Sequence, residues 1–184
     1  MWEQIKQIDK QVFLTLNNLG GKNTDVFWEF VTNPYFWLPL YLIFFYLLNK
    51  ALTRQQLYRA MLFLVLSLMV SVSLNLIVKH WVARTRPNNS EDLEGIMRIL
   101  HTPQSFSFYS GHTANSFTVT IFLYLVLRKK YPISIVFFVW PFLFAYSRIY
   151  LGVHYPSDVL VGALAGIFCG WLFYQLYLKN TVRL

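Results

Sequence analysis

The 184-residue chain has one cysteine, Cys169, set in an apolar run, so it has neither a disulfide framework nor a cysteine-based metal site. A lone thiol in such a run reads as a small buried side chain. Charge is scarce as well: charged residues make up 13%, while hydrophobic residues reach 56% and aromatics 19%. An ordinary globular chain carries about 25% charged residues. A composition this apolar excludes a disordered protein and argues against a soluble enzyme. Acids are the scarcest class, 8 against 16 Lys and Arg, for a formal charge of +8. In a soluble protein that excess would point to nucleic acid, but in a chain this apolar a membrane is the first explanation.

No cleavable signal peptide is read at the N-terminus, because Lys6, Asp9 and Lys10 interrupt any apolar stretch there. Instead Trp2, Ile5, Ile8, Val12, Phe13, Leu16 and Leu19 recur at spacings of three and four. Glu3, Lys6, Asp9, Lys10 and Asn17 take the other side. The pattern predicts an amphipathic helix over about 1–20, lying in the membrane interface and stopped by Gly20-Gly21.

Residues 26–48 form the first predicted span, about 35 Å at 1.5 Å per residue, with Asn33, Pro34 and Pro39 making it the least regular. Residues 60–78 carry no charge and form the clearest span, with a helix start near Leu57. Residues 113–127 and 133–146 are shorter, the second with a kink expected at Pro141. The last span, 159–178, repeats Gly162, Gly166 and Gly170 every fourth residue, a stripe that admits a close neighbour. The fold class is therefore all-α: one polytopic membrane domain over 1–184, with about five transmembrane helices and the interfacial helix.

Successive span ends alternate sides. One face receives Lys50, Arg54, Arg59, Arg128, Lys129, Lys130, Lys179 and Arg183 and no acid. The other receives all eight acids, eight basic residues and the polar segment 83–111. Basic counts tie, but the first face packs its eight into two short loops and a tail, the pattern of a cytoplasmic side. The 83–111 loop is thus expected outside the cytoplasm, on a bacterial-type plasma (inner) membrane.

Three polar clusters sit at span ends on that outer face. They are Lys79-x6-Arg86-Pro87, then Tyr109-Ser110-Gly111-His112, then Ser147-Arg148-x5-His154-x3-Asp158. Taken singly each has a bland reading. Boundary cations snorkel, Ser110 reads as a helix cap, and Asp158 in a first helical turn suits the macrodipole. Together they describe a site for a phosphate ester. Lys79, Arg86 and Arg148 can neutralise a phosphoryl group, and Ser110 with the Gly111 N–H adds donors at a helix start. The spacing of four places His154 and Asp158 on one helix face if the last helix begins near Tyr155, so the carboxylate can orient the imidazole as a nucleophile. His112, with no partner acid, then suits protonation of the leaving oxygen.

These clusters resemble the type 2 phosphatidic acid phosphatases, or lipid phosphate phosphatases, which share a superfamily with vanadium haloperoxidases and glucose-6-phosphatase. The family signature K-x6-R-P, P-S-G-H, S-R-x5-H-x3-D is matched as KHWVARTRP, YSGH and SRIYLGVHYPSD, across 79–158. The resemblance implies phosphate binding by Lys79, Arg86, Ser110, Gly111 and Arg148, with His112 as general acid. It implies His154 as the nucleophile of a phosphohistidine intermediate and Asp158 as its orienter, with no metal and no cofactor. Tyr109 stands where the family has proline, and five spans stand where many bacterial members have six. The implied substrate is a lipid phosphate or diphosphate: undecaprenyl diphosphate, phosphatidylglycerol phosphate, phosphatidate or a lipid A type phosphate. A non-enzymatic anion-binding or transport protein could use the same cations, but simple anion capture needs no oriented imidazole. Nucleic acid is excluded as a partner, since the basic residues are tied to span ends.

Overall fold

The computed structural model describes residues 2–181; Arg183 and the side chain of Trp2 lie outside the described residues. Among the described residues seven α-helices follow one another: α1 (Trp2–Asn17), α2 (Lys22–Thr32), α3 (Leu38–Ala51), α4 (Arg54–Val82), α5 (Gly111–Leu127), α6 (Val139–Tyr150) and α7 (Pro156–Thr181). Short 3-10 turns at Pro34–Trp37 and Pro132–Phe138 lead into α3 and α6.

The helix α5 is central, walled by α4, α6 and α7. Its closest partner is α7, and the glycine stripe is the reason. A Cβ on Gly162, Gly166 or Gly170 would lie 2.6, 2.3 or 2.6 Å from the carbonyl oxygens of Ser110, Ala114 and Thr118. Three glycines on α7 therefore meet three carbonyls one turn apart on α5, and the two backbones touch. Thr118 Oγ1 donates to the Gly166 carbonyl across this seam at 3.3 Å.

Among the described residues, three helices are long and apolar enough to cross a membrane alone, or four if the bent pair α2–α3 is counted as one span. The first expected span is broken rather than continuous: α2 and α3 meet at 68°. Asn33 is extended there, its side chain accepts from the Tyr35 N–H at 3.0 Å, and Pro34 opens a 3-10 turn. The chain α5 spans 17 residues, about 26 Å of helix, and is sheathed by its neighbours, so most of its surface never meets lipid. The kink expected at Pro141 is instead a change from 3-10 to α-helix at Val139, just before it. Pro141 then falls in the first turn of α6, where its missing N–H leaves no gap.

The faces of α1 differ most from expectation. Asp9 and Asn17, assigned to the outer polar side, are buried with Phe13, while Ile5, Ile8 and Val12 are exposed. Asn17 is fully buried and clamps other elements. Its Nδ2 donates to the carbonyls of Arg98, Ile149 and Tyr150, and its Oδ1 accepts the Arg98 N–H at 2.8 Å. Beside lipid an apolar side chain can face outward and a polar one needs partners within the protein.

The α5–α7 seam is open to a direct test. Gly166→Val is expected to lower thermal stability in detergent by about 1–3 kcal/mol or to prevent folding. Gly21→Ala, where a Cβ meets nothing within 4 Å, is expected to leave the melting temperature in place. Equal melting of both variants would contradict backbone contact at this seam.

Candidate active site

The close seam brings two helix N-termini together. The Ser110 N–H donates to the Asp158 carbonyl at 3.0 Å, so α5 and α7 start side by side. The C-terminal ends of α4 and α6, with Lys79 and Arg148, arrive at the same level and border one cavity. Asn75, one turn before Lys79 on α4, donates to the Tyr109 carbonyl at 2.7 Å and packs on Gly111, where a Cβ would come within 2.6 Å of its Oδ1. The Phe108–Tyr109 peptide ahead of it is cis.

The turn between α6 and α7 carries His154 and is buried from Leu151 to Tyr155. Gly152 at φ +79° makes the turn possible, a conformation suited to glycine. Both the Val153 and His154 N–H groups donate to the Arg148 carbonyl at 3.2 Å, locking the turn to the end of α6.

The cavity, about 760 Å³, has two unlike ends. Lys79, Arg86, Gly111, His112, Arg148 and His154 border one end. Leu48, Met61, Leu64, Leu68 and Val72 border the other, between α3 and α4. Along α4, Lys79 and Met61 are about 27 Å apart at 1.5 Å per residue. Among the described residues, no acid lines it.

Each cation is held differently. Arg86 is buried and fixed: its guanidinium donates to the carbonyls of Ser105 and Val153, and to Ser105 Oγ at 2.9 Å. Its Nη1 also lies 3.2 Å from His154 Nε2. Arg148 donates from Nη1 to Thr32 Oγ1, while its Nε is buried with no partner among the described residues. Lys79 lines the cavity half-buried.

His154 stands between a guanidinium and a carboxylate. Its Nδ1 lies 3.5 Å from Asp158 Oδ2, which also accepts the Tyr155 N–H at 3.0 Å. At that distance Nδ1 makes no hydrogen bond among the described residues; the Arg86 guanidinium, which can only donate, faces Nε2, so the ring proton is assigned to Nδ1, on the side of the carboxylate. Burial pushes the His154 imidazole well below its ordinary range, and the Asp158 carboxylate opposes this only partly. The His112 ring borders the cavity and stands edge-on to Phe144, ring centroids 5.5 Å apart.

Of the eight residues singled out in the sequence, six border the cavity and Asp158 stands behind His154. Ser110 alone turns away: it is fully buried, its Oγ accepts from Thr113 Oγ1 at 2.9 Å, and its side chain makes no cap. Sequence reasoning missed Asn75, Ser105 and Thr32, polar residues whose partners lie far along the chain. Nor does it single out Arg84, one of the residues between Lys79 and Arg86, which pairs with Asp158 Oδ1 at 2.7 Å. The only local signal for these was a polar residue in an apolar helix, as at Asn75.

The PAP2 superfamily model matches residues 60–182, two-thirds of the chain and all of this constellation. The chain belongs to the PAP2 superfamily. A lipid A 4'-phosphatase of Bacteroides thetaiotaomicron is 34% identical over all of this chain and 83% of its own length. An undecaprenyl-diphosphatase of Sulfolobus acidocaldarius is 29% identical over 98% of this chain and 80% of its own. Among solved structures, Aquifex aeolicus LpxE aligns with a TM-score of 0.63 at 33% identity, covering 90% of this chain and 93% of that one. The PAP2 type phosphatidylglycerolphosphate phosphatase of Bacillus subtilis aligns with a TM-score of 0.75 at 24% identity, covering 96% and 87%, and supports the fold.

The suppressed basicity of His154 has a consequence for stability. A histidine whose pKa falls on folding binds fewer protons folded than unfolded, so stability is full above the ordinary value of 6.5 and declines as pH drops below it. Between about pH 8 and about pH 5 the melting temperature of the wild type is expected to fall further than that of His154→Gln. Parallel curves would show that His154 is not held neutral by burial.

Proposed function

We propose that this membrane lipid phosphatase removes a terminal phosphate from a lipid of the lipid A type, through His154, at the outer surface of the plasma membrane. The observation that carries the reading is the cavity itself, three cations and two histidines at one end and apolar walls at the other. A phosphate seated among Lys79, Arg86 and Arg148 leaves its lipid tails along α3 and α4. Gly111 and Ser110 open α5 at the same point, where helix N–H groups favour an anion.

In the proposed chemistry, His154 Nε2 attacks phosphorus and the bond to the leaving oxygen breaks. The His112 imidazolium gives that oxygen its proton. Asp158 steadies the positive charge that develops on the His154 ring. Neutral His112 then takes a proton from water, whose oxygen attacks phosphorus, breaks the N–P bond and releases inorganic phosphate. The three cations balance the charge on the transferring group, so the neutralising role falls to fixed side chains. Support for a lipid A type substrate over the other lipid phosphates comes from the relative matched along the whole chain. The outer-face placement rests on the acid-free basic loops Lys50–Arg59 and Arg128–Lys130 at the opposite end.

Phosphate release from lipid A, undecaprenyl diphosphate, phosphatidylglycerol phosphate and phosphatidate in detergent tests this reading. Lipid A is expected to give the highest kcat/KM, and His154→Ala and His112→Ala to lose at least about 10³-fold in kcat. Vanadate is expected to inhibit and chelator to leave the rate unchanged. Activity retained in His154→Ala would overturn the mechanism, and preference for the diphosphate would overturn the substrate assignment.

A further inference from the structure

Behind the proposed nucleophile lies a second layer of charge. The Asp9 carboxylate, on α1, is buried and far from the cavity in sequence. Its Oδ1 accepts the Ser157 N–H at 2.9 Å, in the first turn of α7, and its Oδ2 accepts from Arg84 Nη2 at 2.7 Å and from Ser157 Oγ. Arg84 Nη1 reaches Asp158 Oδ1 and Ser157 Oγ, each at 2.7 Å. The guanidinium also lies over the Tyr155 ring, 4.0 Å from its centroid. One planar fork thus holds two carboxylates at once, a task that suits arginine.

We propose that Asp9 is a positioning residue for hydrolysis: through Arg84 it fixes Asp158, and through Asp158 the ring of His154. The inference rests on the reading of His154 as nucleophile. A buried carboxylate is unfavourable unless it is paired and hydrogen-bonded, and Asp9 is both. Anchoring α1 does not require it, because Asn17, Phe13 and the exposed Lys10–Asp92 pair already tie that helix down. What Asp9 alone does is occupy the second arm of the fork. Without it Arg84 Nη2 has no carboxylate and the guanidinium can pivot off Tyr155. Asp158 Oδ1 then loses its fixed partner, and the carboxylate can rotate away from both the Tyr155 N–H and His154 Nδ1. Asp9 also supplies an acceptor to the N-terminus of α7 from a different helix, so α1 sets where the helix bearing Asp158 begins.

The test is a double-mutant cycle on kcat, with lipid A and, in parallel, phosphatidate in detergent. Asp9→Asn is expected to lower kcat about 10-fold with KM within about twofold of wild type, since no contact to phosphate is lost. If Asp9 acts through Asp158, adding Asp9→Asn to Asp158→Asn lowers kcat no further. Arg84→Lys keeps the charge but replaces the planar two-armed fork with a point charge that no longer fixes both carboxylates, and it gives the same pattern if Asp9→Asn fails to fold. Lys10→Ala loosens the neighbouring tie of α1 and keeps kcat within about twofold. Losses that multiply, or Asp9→Asn at wild-type kcat, would overturn the positioning role while His154→Ala stays inactive. An active His154→Ala would instead overturn the reading on which it rests.

Discussion

The contact on which the rest depends is the backbone approach of α5 and α7 along the glycine stripe. With side chains at Gly162, Gly166 and Gly170 the helices would stand apart, and the Ser110–Asp158 backbone bond could not form. Because they touch, two helix N-termini, each the positive end of its helix dipole, begin at one point. His112 and Asp158 each lie in the first turn of one of those helices. The separation of His112 and Asp158 is therefore set by the packing of α5 on α7.

Charge is then layered from the cavity outward. Permanent cations and His154 border the cavity, with Asp158 behind the imidazole and Arg84 and Asp9 behind that. Carboxylates are kept off the cavity surface, where they would repel an incoming phosphate, and are placed where they hold the imidazole and the arginine. The low-dielectric surroundings make each of these pairings stronger than in water, and make an unpaired member costly. The apolar end of the cavity fits the same logic, since a lipid tail needs no polar partner there.

Much of this was legible in the sequence. Length and hydropathy located the helices, and three spaced clusters located the cavity's polar end, because span ends alternate sides and bring distant motifs to one level. The reading failed where the question was which face of a helix meets protein. Periodicity shows that α1 has two faces, but Asp9 and Asn17 turned inward because lipid accepts Ile5 and Ile8 while a buried backbone turn needed their hydrogen bonds. The break at Asn33-Pro34 was visible as irregularity but not as a 68° bend, whose angle depends on packing against α6. Ser110 reads from sequence as a cap or a phosphate donor; its side chain makes no cap, and its buried hydroxyl accepts from Thr113 one turn on, off the cavity lining. Arg84 and Thr32 have partners more than 70 residues away, and no local pattern encodes such a pairing.

The central claim is that phosphate passes through His154. Rapid acid-free quenching of a single turnover with lipid labelled in its terminal phosphate, followed by peptide mapping, tests it most directly. The account predicts a transient alkali-stable label on the peptide carrying His154, absent from His154→Ala. Label on another residue, or phosphate released with inverted stereochemistry and no labelled protein, would contradict it.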